Sequence, residues 1–199
     1  MLVWFCAEVS DPAAHGCRYP PKQTMTKSDL LGIFRTAKNN YRLVYVLILL
    51  SSQEKMKSDF IEIYQGLDKS LKPVDDILPL LFDEKVLKKA LMELQMTIHR
   101  AALKELFETM RNYCDKSSQS ALLTSQPWYQ FWRLIRNCFS HNFKFRFNKY
   151  DKTVLPVTWS GITIAESMEG QSLTIGQFSI HKLWSLIGEA EDFIDKQLA

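Results

Sequence analysis

The sequence has few of the residues that usually betray chemistry. It holds four histidines and four cysteines in 199 residues, and Cys6, Cys17, Cys114 and Cys138 lie far apart, with no Cys-x-x-Cys pair and no zinc-type spacing. That scarcity argues against a disulfide scaffold and a structural metal, and predicts reduced thiols in a cytoplasmic protein. No Gly-rich phosphate loop, Gly-x-Ser-x-Gly or His-Glu-x-x-His occurs, and no metal or cofactor is called for. The longest apolar run, Leu43 to Leu50, is eight residues, where a membrane span needs about 20. Met1 to Ala7 lacks a basic flank and is followed by Glu8 and Asp11, which makes it a poor signal peptide. No membrane partner is expected.

What is present suits a globular domain. Apolar residues make up 46%, aromatic residues 12% and charged residues 24%, which excludes a disordered or low-complexity chain. The length predicts one domain, residues 26–199, preceded by an irregular arm over residues 1–25 that carries Pro12, Gly16, Pro20 and Pro21. Net charge is only +3, but residues 131–152 alone carry +5.

Periodicity supplies the fold class: mainly α, an elongated antiparallel helical bundle with a small β hairpin or sheet before the last helix. Thr26-Lys27-Ser28-Asp29 is a capping-box pattern opening a helix, with interruptions expected near Asn39-Asn40 and Ser51-Ser52 and a stop at Pro73. From Asp83 to about Asp115, Leu87, Leu91, Leu94, Ile98, Ala102, Leu106, Met110 and Tyr113 recur at steps of three or four. Ser117 to Ser120 open a loop, and Pro127 is expected as the first residue of a helix bearing Trp128, Phe131, Trp132, Ile135 and Phe139, a stripe read as core or dimer seam. Phe143, Phe145 and Phe147 then alternate with Lys144, Arg146 and Asn148, which predicts a half-buried strand with a basic outer face. Val154 to Trp159, Ile162 to Ala165 and Leu173 to Ile175 follow as further strands, and Ser179 to Leu198 returns to helical spacing. His99-Arg100 is read as surface, and His15 and His181 have no identifiable partners.

One constellation carries chemistry: Arg136-Asn137-Cys138-Phe139-Ser140-His141, where the basic stretch begins. Five positions along a continuous helix would turn Arg136 and His141 about 140° apart, so their convergence requires the helix to stop near Ser140. Asn142, of a type that tolerates left-handed backbone, fits such a stop. A guanidinium grips two phosphate oxygens at once, and an imidazole moves a proton near neutral pH. The pair suits attack of an RNA 2′-hydroxyl on the adjacent phosphate without a metal, with Asn137 orienting the histidine or the phosphate. The plain alternative is two cations decorating a helix end.

Arg136-Asn137-x-x-x-His141 resembles the Arg-polar-(x)-His motif of the HEPN domains (higher eukaryotes and prokaryotes nucleotide-binding). The layout over residues 26–198, with long helices, a late motif, a short β segment and a closing helix, is similar as well. Many members are metal-independent endoribonucleases, acting as toxins or in phage defence, that pair two motifs across a homodimer. The resemblance implies that Arg136 and His141 are catalytic with Asn137 in support. Arg133, Lys144, Arg146 and Lys149 would then bind RNA, and an antitoxin or neighbouring-gene protein is a possible partner. Its alternative is a non-catalytic HEPN module that binds nucleotide, RNA or protein.

Overall fold

The computed structural model describes residues 25–51, 53–66, 83–174 and 176–199. The expected arm up to residue 24, the stop at Pro73, and the sites of Cys6, His15, Cys17 and Ile175 lie outside them.

Helix α1, Lys27–Ser51, opens on the expected cap. The Thr26 backbone N–H and hydroxyl donate to Asp29 Oδ2 at 2.8 and 2.7 Å, and the Asp29 N–H returns a bond to Thr26 Oγ1 at 3.2 Å. These bonds hold the Asp29 carboxyl below its ordinary range. The helix runs unbroken through Asn39-Asn40, contrary to expectation. Both asparagines are exposed, and burial of Phe34 and Tyr41 on the opposite side outweighs their weak helix propensity. Helix α1 ends at Ser51, where an interruption is expected, and α2, Glu54–Gly66, follows.

Helix α3, Glu84–Lys116, spans 33 residues, about 50 Å at 1.5 Å per residue. Asp83 caps it, accepting from the N–H groups of Lys85 at 3.0 Å and Val86 at 3.1 Å. Its buried residues all lie between His99 and Cys114, where α1 and α5 pack against it. A short helix not anticipated from the sequence, α4 (Ser120–Thr124), follows the turn at Ser118, and α5 occupies Tyr129–Ser140. Pro127 sits in the turn ahead of α5, where Gln126 O accepts from Tyr129 N–H at 3.0 Å, instead of being the helix's first residue.

The aromatic stripe of α5 is core. Phe131 and Trp132 are fully buried, and the Trp132 indole N–H donates to Leu103 O at 3.0 Å, satisfying its one donor inside the protein.

Residues 143–148 form no regular strand. They run beside residues 170–173, with Phe145 N–H to Gln171 O at 3.0 Å, Gly170 N–H to Phe145 O at 2.8 Å and one bridge, Lys144 to Ser172. The alternation survives: Phe145 is buried while Lys144 and Arg146 are exposed. An unexpected helix, α6 (Lys149–Val154), starts from a capping box between Asn148 and Asp151.

The hairpin is smaller than expected. Strands β1, Val157–Trp159, and β2, Ile162–Ile164, pair antiparallel with Val157 opposite Ile164. Ser160 and Gly161 join them with φ of 47° and 79°, positive at both central positions as a tight hairpin turn requires. The last helix, α7 (Ile180–Gln197), buries Leu183, Leu186, Ile187, Ala190, Phe193 and Ile194 against the bundle. Lys27 donates to Asp195 O at 2.7 Å and Leu198 O at 2.9 Å, placing a cation on the carbonyl end of α7. No helix of the described residues is long and apolar enough to cross a membrane.

Candidate RNA-binding site at the end of helix α5

Helix α5 stops where the motif requires. His141 is its C-terminal cap, with φ −103° and ψ 40°, and its N–H donates to Asn137 O and Cys138 O, each at 3.1 Å. Asn142 and Phe143 follow with φ of 56° and 62°. Two successive left-handed residues reverse the chain, and Lys144 N–H closes the turn onto His141 O at 3.2 Å. His141 is thereby exposed, with an imidazole that makes no hydrogen bond to any described residue.

Arg136 points elsewhere. Its guanidinium pairs with Glu108 on α3, whose other oxygen lies 3.0 Å from Arg111 Nη2. Arg136 Nη1 donates to Asn137 Oδ1 at 2.8 Å, so Asn137 orients the arginine and not the histidine. Partial burial lowers the Arg136 pKa from its usual value, yet a guanidinium remains cationic at any physiological pH. The Arg136 Nε is buried and donates to no described residue. No hydrogen bond joins Arg136 to His141; the fold puts them on one helix end without coupling them.

The expected basic face divides in two. Lys144, Arg146 and Lys149 are exposed, and their side chains make no ion pair or hydrogen bond with described residues. Arg133 is internal. It pairs with Asp151, which is 1% exposed, donates from Nε to Gln130 Oε1 at 2.8 Å, and lies 4.8 Å from the centre of the Tyr150 ring. These contacts fasten α5 to α6. Lys152 is also spent, at 3.0 Å from Glu166 and 3.8 Å from Glu169.

One other polar group departs from expectation. His99 is 2% exposed, not a surface residue. It donates from Nδ1 to Gln95 O at 2.9 Å and accepts at Nε2 from the Tyr41 hydroxyl at 3.0 Å, joining α1 to α3. Burial lowers the His99 pKa and raises that of Tyr41. The signal was readable: position 99 precedes Ala102, Leu103 and Leu106 by three, four and seven residues, the spacing of one helix face. Cys138, inside the motif, is buried, and desolvation pushes its thiol up to about 12, which disqualifies it as a nucleophile at neutral pH.

Glu108 is the site residue that sequence reasoning missed. It lies 28 positions before Arg136, and only the packing of α3 on α5 brings the two together. Among the described residues no cluster of His, Cys, Asp and Glu could hold a metal ion. No protein-family model, no curated protein and no solved structure matches this chain.

Proposed function

We propose that the end of helix α5 is a metal-independent site for cleaving RNA, of HEPN type, assembled from two copies of the chain. The observation that carries this reading is the helix stop: the left-handed turn at Asn142 leaves the His141 imidazole exposed and unengaged just beyond Arg136, beside unpaired Lys144 and Arg146. In such a site His141 takes the proton from a 2′-hydroxyl as its oxygen bonds to phosphorus, or returns one to the departing 5′-oxygen. Arg136 stabilises the charge gathering on the non-bridging oxygens. The products are a 2′,3′-cyclic phosphate and a free 5′-hydroxyl. Two copies supply two imidazoles, one for each transfer, and a biological role as toxin or phage-defence effector fits such an activity.

A second reading has its own observation. Arg136 is held by Glu108 and Asn137 of its own protomer, as it would be in a module that binds nucleotide, RNA or protein without cleaving it. The experiment that separates them is incubation of the purified chain with RNA in EDTA. Cleavage leaving a cyclic phosphate, and lost in His141→Ala, supports the ribonuclease. Binding without cleavage by the unaltered chain leaves the binding module.

A further inference from the structure

Over the first turns of α3, Lys85, Lys88, Lys89, Met92 and Met96 recur at helical spacing and form one wall of a groove of about 760 Å³. Asn142 and Phe143, the residues directly after His141, form the other wall. The three lysines are exposed and make no ion pair or hydrogen bond with described residues; the acid on the same wall is Glu93. Met92 is 51% exposed, an apolar surface left open beside unpaired cations.

Phe143 adds an independent observation. Its φ of 62° is one that a bulky side chain rarely adopts, and it persists only where surroundings hold it. Leu173 N–H donates to Phe143 O at 2.7 Å, the ring meets Phe139 edge-on at 5.0 Å, and Arg100 lies 5.9 Å from the ring centre. These contacts fix the aromatic ring at the groove wall.

We infer that this groove binds single-stranded RNA flanking the site at His141, with Phe143, Met92 and Met96 receiving a nucleobase and Lys85, Lys88 and Lys89 the backbone phosphates. An aromatic and apolar wall reads the face of an unstacked base, which a duplex does not present, and lysines at successive helical turns track a polyanion. An acidic peptide would satisfy the lysines and leave the ring without a planar partner. The position of the scissile bond beside the groove rests on the ribonuclease reading; the binding itself does not.

The test uses the full chain and a fluorescent 2′-O-methyl RNA 12-mer, which cannot be cleaved, titrated by anisotropy across a series of salt concentrations. The Lys88→Ala/Lys89→Ala variant is expected to bind at least about tenfold more weakly, with a salt slope shallower by about 1.4 for two lost phosphate contacts on a single strand. Phe143→Leu is expected to lose about fivefold or more, from lost stacking, with little change in slope. A Lys196→Ala control, altering a remote exposed residue of α7, is expected to bind as the unaltered chain does. Unchanged affinity and slope in Lys88→Ala/Lys89→Ala overturn the groove even if RNA cleavage is found. Groove-dependent binding without any cleavage of ordinary RNA upholds the groove and removes the ribonuclease reading. Displacement of the RNA by oligoglutamate at equal charge concentration overturns RNA as the occupant in favour of an acidic protein.

Discussion

Glu108 of α3 holds Arg136 of α5 by its carboxylate, and the same carboxylate also binds Arg111. Arg136, which we propose receives phosphate, is therefore already facing an anion, in a pair that is only partly buried. A phosphate arriving at Arg136 meets a like charge behind it. Glu108→Gln keeps an oxygen for the guanidinium and removes that charge. RNA binding is then expected to tighten about fivefold, close to the 1 kcal/mol that one nearby charge contributes at a wet surface. Filter binding of non-cleavable RNA measures this. A weaker complex from a folded variant would show instead that Glu108 must be ionised to position Arg136.

His141 and Arg136 differ structurally, and the difference separates catalysis from folding. His141→Ala removes an exposed imidazole with no partner among the described residues, so the melting temperature should stay within about one degree. Arg136→Ala also breaks a part-exposed ion pair and costs up to about 1 kcal/mol. Each should lower RNA cleavage in EDTA by about 100-fold or more. Full activity in either variant removes the mechanism.

The aromatics of α5 are buried within the chain's own core, so a second copy of the proposed dimer cannot use them as its seam. Trp128, Phe131 and Trp132 are buried in the core, leaving Gln130, Arg133, Arg136 and Asn137 partly accessible on α5. The composite site we propose would have to form over that polar side. Sedimentation at tens of micromolar is expected to give a dimer that dissociates as salt rises, since polar pairings are screened. A monomer at every concentration tested would refute the composite site.

His99 should make stability depend on pH in a set direction. Burial lowers its pKa in the folded chain, so below about 6.5, the ordinary value, the unfolded chain binds a proton that the folded chain refuses. Stability therefore rises with pH through that region and falls on acidification. Melting temperatures at pH 7.5 and 5.5 should differ more for the unaltered chain than for His99→Gln, in which this group cannot titrate. Equal differences would mean that His99 opens to water before the fold does.

Much of this architecture is legible in the sequence because it is written in local terms. Thr26 and Asp29 are three residues apart and cap each other; the buried residues of α7 recur at helical steps; Asn142 marks the stop of α5 one residue beyond its cap. What escapes is either very short or non-local. Helix α6 is six residues long and depends on the Asn148–Asp151 box, which the preceding Phe alternation obscures. The burial of His99 and the engagement of Arg136 and Arg133 depend on which helix lies opposite, and no spacing along one helix encodes that partner.

Arg133 gives the last prediction, because its charge suggests RNA and its surroundings suggest structure. Its guanidinium sits over Tyr150 and pairs with Asp151, whose carboxylate is almost fully buried and also accepts the Asn148 backbone N–H at 2.9 Å in the cap of α6. Arg133→Ala leaves that carboxylate without its cation, a loss expected to cost about 3 kcal/mol. Denaturant titration should show the drop, and lost protection from hydrogen exchange over residues 148–154 should locate it. The salt slope of RNA binding should stay unchanged, because the guanidinium neutralises Asp151 and not a phosphate. Lys144→Ala and Arg146→Ala should behave inversely, each making the slope shallower by about 0.7 with no loss of stability. A shallower slope in Arg133→Ala with undiminished stability would return Arg133 to the RNA-binding face.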